Sequence, residues 1–539
     1  MERVVGLSGE TMAYINRLEQ ENRQLGKLKD TLEDKISQYE QKVTKLEQDN
    51  QHLAEKLRIA LFRQFGKATE RFIGEGQQLL FGTKEQVESK EETREEKGEA
   101  VKGYRRCARG RKPINPNIPR EVITLDIDEA DKHCACGHEM ECIGEDVSER
   151  LVIIPEQIYV EQIHKKKYAC KHCEGSEDED QPAVRTAKTP GNILAGSIAT
   201  ACLLSYIFVR KYADHMPFYR QEAGFERIGV EISRQDMSNW QLKIYKKIEL
   251  LLNLLKEHLK TGEVLQIDET PMEVMREAGR ENTSKSYMWF TLGGPPGQKV
   301  MWYEYHPSRA SESIIPILEG FHGFLQTDGW QSYNTALKHY TDITHVGCWA
   351  HTRRKFFEAM KAAREGGSKT GGNAETALSY IKGLYTVEQN LREKQRKGVI
   401  TPKEFLEERE WRCTPILSGF HRWLEAKSTQ ILPSSALGKA IHYTLNQWPN
   451  LKNYLCHEEL TPDNNGAERG IRPFVMGRKN WVMSGSPEGA RSSCALYSLI
   501  ETAKANGLNP YEYLTTVFVW IADHGDSGDW QSILPWNLN

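Results

Sequence analysis

A chain of 539 residues is too long for one domain and leaves room for three or four. A hydrophobic fraction of 39% and a mean hydropathy of −0.62 are low for a compact enzyme and fit a chain that is partly coiled coil and linker. The formal charge of −3 excludes a uniform polycation, so any nucleic-acid binding must come from local basic patches, and 11 cysteines without a signal-like opening argue for a reduced, cytoplasmic protein rather than a disulfide scaffold.

The chain opens on a heptad array. Leu18, Leu25, Leu32, Tyr39, Leu46 and Leu53 recur every seven residues, with Ile15, Asn22, Lys29, Ile36, Val43, Asn50 and Leu57 at the companion positions. This predicts a coiled coil over 1–62. Asn22 and Asn50 at a positions favour a parallel dimer, because a buried amide finds its mate only in matched register. An intramolecular helical hairpin is the alternative, and within the array only Gly26 offers it a turn. Residues 63–118 read as a charged and basic linker: 83–103 mixes charges with almost no apolar content, and Arg109-Gly110-Arg111-Lys112-Pro113 suits phosphate contacts or insertion into a narrow minor groove.

Residues 119–185 hold two thiol pairs, Cys134-Ala135-Cys136 and Cys170-Lys171-His172-Cys173, spaced for a zinc-ribbon-like module with strands at 151–160 and 161–168 between them; free thiols at coincidental spacing are the alternative. Ile193 to Val209 lacks charge, but it is short for a membrane span and contains Gly196, Ser197, Thr200 and Ser205, which predicts a buried helix. Over 186–260 a helix, a glycine turn at Gly229 and a second helix capped by Ser233 outline a helix-turn-helix, and equally a hairpin that only packs on the core. In the first case Arg234, Gln235 and Asn239 sit where base edges are read.

Residues 261–362 predict strands near 264–268, 286–293 and 299–305, a helix at about 310–319, a fourth strand and a fifth at 342–346. Two of these runs, Leu265-Gln266-Ile267-Asp268 and Leu325-Gln326-Thr327-Asp328, place an aspartate at a strand exit. A third carboxylate, Glu468, lies on a helix expected to stop before Pro473, with Asn465 and Arg472 on the same face. Three such carboxylates suit a pair of hard divalent cations, Mg²⁺ or Mn²⁺, for phosphate chemistry. Each aspartate taken alone is more simply a turn residue. Cys348 and His351 are spaced as ligands but lack further partners in sequence. Residues 363–460 read as an α-helical insertion whose Trp411, Trp423 and Trp448 form a small core; 461–515 complete the core and 516–539 form a tail.

The stretches LQIDETP at 265–271, QTDGWQSYN at 326–334, GCWAHTRRKF at 347–356 and the long block from Asn464 to Leu514 closely resemble the insertion sequence 66 family of bacterial transposases, as do Phe62-Arg63-Gln64-Phe65-Gly66-Lys67 and Leu534-Pro535-Trp536-Asn537. The resemblance implies a multidomain α/β protein with an RNase H-like catalytic core. It makes Asp268, Asp328 and Glu468 the metal ligands, adds a zinc-finger-like module at Cys134, Cys136, Cys170 and Cys173, and suggests helper proteins from the same element. A Cys-x-x-His after the second aspartate occurs in several related families, which points His351, Arg353 and Arg354 at scissile DNA or the carboxylates, with Cys348 supporting. Arg469, Arg472, Arg478 and Lys479 would neutralise phosphates. The expected activity is binding of the element's ends, strand cleavage and joining of the 3′ hydroxyl to target DNA. A catalytically silent DNA-binding regulator and a simple nuclease of the same fold are the competing readings.

Overall fold

The computed structural model describes residues 9–65, 158–169, 184–186, 191–365 and 372–538. Two units are distinguished, residues 1–68 with 190–539, and residues 69–189. The smaller unit contains β1 (Lys167–Ala169), paired antiparallel with β2 (Val184–Thr186). The strand expected over 161–168 begins only at Lys167, since His164 to Lys167 are four polar residues in a row and offer no apolar alternation. Cys134, Cys136, Cys170, Cys173, Arg109 and Arg111 lie outside the described residues.

In the larger unit α1 (Gly9–Phe65) is one uninterrupted helix, so Gly26 makes no turn and the hairpin alternative falls. The uncharged stretch becomes α2 (Ala201–Tyr212), N-capped by Thr200 and buried through Leu204, Ile207 and Phe208. Among the described residues no helix is long and apolar enough to cross a membrane. Next come α3 (Phe218–Arg227), a turn at Gly229 (φ 79°) and α4 (Arg234–Lys247), whose Asp236 amide donates to the Ser233 hydroxyl at 3.1 Å; α5 (Glu249–Leu259) leads into the sheet.

The sheet contains β3 (Val264–Val274), β4 (Lys285–Gly293), β5 (Val300–His306), β6 (Gly323–Gln326) and β7 (Ile343–Val346), with α6 (Ser311–Leu318) before β6 and α7 (Gln331–Leu337) after it. The order is β5-β4-β3-β6-β7; the first three are antiparallel and β6 and β7 run parallel to β3. The β6 ladder ends at Gln266, and the short β8 (Met483–Ser484) takes up the same edge of β3 only at Glu273. Between those points β3 keeps its β4 partner but has no strand on the other side among the described residues. Asp268 therefore lies within a long strand, opposite Phe290, rather than at a strand exit. It is half-buried, and the side it leaves open comes from the ending of its neighbour.

Four helices follow: α8 (Trp349–Glu365), α9 (Gly372–Arg396), α10 (Pro402–Ser428) and α11 (Ala436–Leu451). They share a core of Trp349, Phe356, Ile381, Leu417, Phe420 and Ile441. Trp423 and Trp448 pack against it, whereas Trp411 is 75% exposed, because it occupies the solvent side of α10. Last come α12 (Asn465–Trp481), α13 (Pro487–Ala505) and α14 (Pro510–His524). The expected stop before Pro473 does not occur: α12 runs through it, with Phe474 and Gly477 buried beyond, so tertiary packing outweighs the hydrogen bond that proline removes. α13 closes the β5 edge, its Ser498 and Thr502 hydroxyls accepting the Tyr303 and Met301 amides at 2.9 and 3.0 Å.

Candidate metal and phosphate site

The parallel register Gln266↔Gln326 brings Asp268 and Asp328, each two residues further on, level with each other just past the end of β6. Two buried amides fix that register: Gln266 Nε2 donates to Gln326 Oε1 at 2.8 Å, and Gln326 Nε2 donates to the Thr461 carbonyl at 2.6 Å. The relay thereby ties β3 and β6 to the segment that leads into α12. Asn464 enters the gap beside β3, giving its side-chain amide to the Ile267 carbonyl at 2.8 Å and its backbone N–H to Cys348 Sγ at 3.3 Å. The helix then lies directly on the sheet, because a Cβ at Gly466 would stand 1.9 Å from Gln266 Oε1 and one at Gly470 would stand 2.1 Å from the Phe290 ring. That approach brings Glu468 into electrostatic reach of both aspartates.

Burial, together with the charges of Glu269, Glu468 and Asp328, pushes the Asp268 carboxyl up to about 8. Burial also raises Glu468, and the nearby guanidinium groups of Arg354 and Arg472 work against that rise. Glu269, almost fully buried, has its own donors: the Tyr333 hydroxyl at 2.5 Å and the Arg309 guanidinium. Arg309 lies 3.8 Å from Asp328 as well, and 4.0 Å above the Trp330 ring. By contrast Glu468 Oε1, His351 Nδ1 and Asn465 Oδ1 are buried with no hydrogen-bond partner. Carboxylates crowded and buried together, one of them raised to about 8 and another with an unpartnered oxygen, are the condition a divalent cation relieves, and the oxygen donors suit Mg²⁺ or Mn²⁺.

The remaining sequence candidates fall in three groups. Cys348, whose thiol burial pushes up to about 12, and His351 stand with Glu468, their ligand atoms all within 4.8 Å of one another. Burial and the Arg354 charge lower the His351 imidazole. Arg354 and Arg472 act on Glu468, and Arg478 donates to Thr270 Oγ1 on β3 at 3.3 Å. Arg353 lies against the Phe357 ring, while Arg469 and Lys479 are exposed along α12. Arg234, Gln235 and Asn239 stand elsewhere, on the exposed face of α4, with Gln235 Nε2 donating to Asn239 Oδ1 at 3.1 Å. Sequence reasoning missed Glu269, Arg309, Tyr333 and the two glutamines. The repeated Leu-Gln-x-Asp was a usable signal for the glutamines, since a polar residue one place inside an apolar strand needs a buried partner.

An acidic cluster flanked by guanidinium groups and mounted on a mixed sheet is a donor set that suits a divalent metal. Comparison with known proteins gives the family. The chain belongs to the IS66 family of transposases: the pattern described as "Transposase IS66 family" matches residues 196–492, and that of the "IS66 C-terminal element" matches 498–536. The "zinc-finger binding domain of transposase IS66" matches 131–174, which includes all four candidate thiols, and "Transposase C of IS166 homeodomain" matches 52–123. Among similar proteins, the uncharacterized protein y4qI of Sinorhizobium fredii (strain NBRC 101917 / NGR234) is 31% identical over 80% of this chain and 78% of its own length. The uncharacterized protein y4jD of the same strain is 28% identical over 81% of this chain and 84% of its own.

Proposed function

We propose that the protein binds the ends of its own insertion sequence, cuts DNA strands with divalent metal and joins the freed 3′ hydroxyl to target DNA. The observation that carries this reading is the meeting of Asp268, Asp328 and Glu468, drawn from three separated chain segments, at a place where burial first and the neighbouring acids Glu269, Glu468 and Asp328 second raise the Asp268 carboxyl. The strand order, three antiparallel strands followed by two parallel ones, supports reading the sheet as an RNase H-like core interrupted by α9–α11.

In this proposal the three carboxylates hold Mg²⁺ or Mn²⁺, two ions per site, and bound metal supplies Lewis-acid polarisation of the phosphate and a more acidic water. The chain's own groups do the rest. Arg354 and Arg472 offset the carboxylate charge and offer donors to a phosphate entering beside Glu468, and Arg309 holds Glu269 away from that role. Arg478, Arg469 and Lys479 extend the cationic path along α12. Exposed Arg234, Gln235 and Asn239 on α4, the thiol module with structural zinc and the Arg109–Arg111 segment contact element ends, while α1 pairs two copies.

The test is a strand-transfer assay with the full chain, Mg²⁺ and labelled element ends. Cleavage and joining that vanish in Asp268→Asn and Glu468→Gln, with end binding retained, are the expected result. Binding alone in the native chain would leave a regulator, and cutting without joining a nuclease.

A further inference from the structure

We propose that Cys348, His351 and Glu468 form a second cation site, for a thiophilic divalent ion of the zinc class, which shares Glu468 with the oxygen-lined site. Cys348 immediately precedes α8, His351 occupies the first turn of that helix, and Glu468 occupies the first turn of α12. The Asn464 N–H that meets Cys348 Sγ joins the two helix starts, so the three donors belong to one rigid junction rather than to mobile loops. Their ligand atoms lie within 4.8 Å of one another, and His351 Nδ1 is 3.8 Å from Glu468 Oε1. Zinc bonds of about 2.0–2.3 Å in tetrahedral array place neighbouring ligand atoms roughly 3.3–3.7 Å apart, so small side-chain shifts close the cage.

Two of the three ligand atoms, His351 Nδ1 and Glu468 Oε1, are buried without a hydrogen-bond partner, which is costly unless something polar occupies the space between them. A thiolate, an imidazole and one carboxylate leave the fourth tetrahedral position to water, the composition of an open zinc site. The same donors select against Mg²⁺, which gains nothing from sulfur and seeks oxygen. From sequence the Cys-x-x-His pair lacked partners; the fold supplies one, and it is a carboxylate already assigned to Mg²⁺. One oxygen pair cannot serve both ions fully, so zinc here draws Glu468 away from Asp268 and Asp328. The competition rests on the proposed role of Glu468, whereas the zinc binding does not.

The experiment counts zinc on the full chain after equilibrium dialysis, with the amino-terminal thiol module present in every sample as an internal constant. The native chain is expected to retain one more equivalent than Cys348→Ser, and His351→Asn to lose that same equivalent. His351 is partly exposed, so its variant answers the question should the serine variant misfold. With Co²⁺ in place of zinc, the thiolate charge-transfer absorption should fall by one thiolate's share in Cys348→Ser. Millimolar Mg²⁺ should weaken retention of the extra equivalent at least tenfold in the native chain. Equal metal content in all three proteins overturns the site, and a Mg²⁺-insensitive extra equivalent overturns the sharing. A chain that takes up the extra zinc yet, with that equivalent removed and Mg²⁺ supplied, joins no DNA refutes the transposition mechanism and leaves this site standing.

Discussion

At Asp268 the fold works against ionisation. Burial comes first and the neighbouring acids second, and together they hold the carboxyl near 8, against about 4 for a free aspartate. The folded state thus binds a proton across that interval that the unfolded chain has released. The stability it contributes is complete below about pH 4 and is lost as pH rises through 8. Asp268→Asn removes the penalty. In Mg²⁺-free buffer the variant should unfold at a higher temperature than the native chain, with the gap widening by roughly 2–3 kcal/mol from pH 6 to pH 8.5. Calorimetry of both proteins checks this, and a gap that narrows with pH refutes it. Added Mg²⁺ should close the gap by stabilising the native carboxylates. The three acids themselves were legible because each stands in a short, patterned phrase. Glu269 and Arg309 were not, since their pairing joins β3 to the turn after β5, and no local pattern encodes that meeting.

Helix α12 is placed by two devices, one on each side of Glu468. Toward the sheet, Gly466 and Gly470 allow contact at backbone distance. Gly470→Ala would push the helix off Phe290, at a cost of about 1–3 kcal/mol for overpacking, and should weaken Mg²⁺ binding measured by titration calorimetry; unchanged affinity would separate Glu468 from that contact. Toward the insertion, the fully buried Arg409 of α10 donates to the carbonyls of Tyr454, His457 and Leu460 and pairs with Glu388 of α9 at 2.9 Å. Arg392 adds bonds to Glu388 and to the Glu458 and Leu460 carbonyls. The insertion therefore fixes the segment that delivers Asn464 and Glu468. Arg409→Met leaves those carbonyls short of donors and should cost about 3 kcal/mol, near the lower end for a broken buried pair because Arg392 still faces Glu388. Hydrogen exchange should quicken over 454–468, and a change confined to α10 would count against the clamp. Strands β4 to β7 were legible to within a few residues, as their apolar runs are bounded by turn residues. The length of β3 and the passage of α12 through Pro473 were not, because neighbours in space decide both.

Over the whole molecule, legibility follows the range of the forces. The heptads of α1 are local and repeat, so the helix is readable from the first turns, and the structure adds that its apolar stripe stays in the open: Leu18, Leu25, Leu32, Ile36, Val43 and Leu46 are all exposed along a 57-residue helix. A helix of that length with an uncovered stripe calls for a partner helix, since burying each leucine stabilises by roughly 1.5–3 kcal/mol. On the proposed pairing, a second copy in parallel register would supply the match for Asn22 and Asn50. On that proposal, Leu25→Lys with Leu32→Lys would place facing charges on the seam and should convert the dimer to a monomer in sedimentation velocity, with the thermal transition of the sheet-bearing core unchanged. Asn22→Ile with Asn50→Ile should instead strengthen association while loosening its stoichiometry, because the amides specify the pairing at a cost in stability. A double-lysine chain that still sediments as a dimer would move the dimer contact off α1 and onto another surface of the molecule.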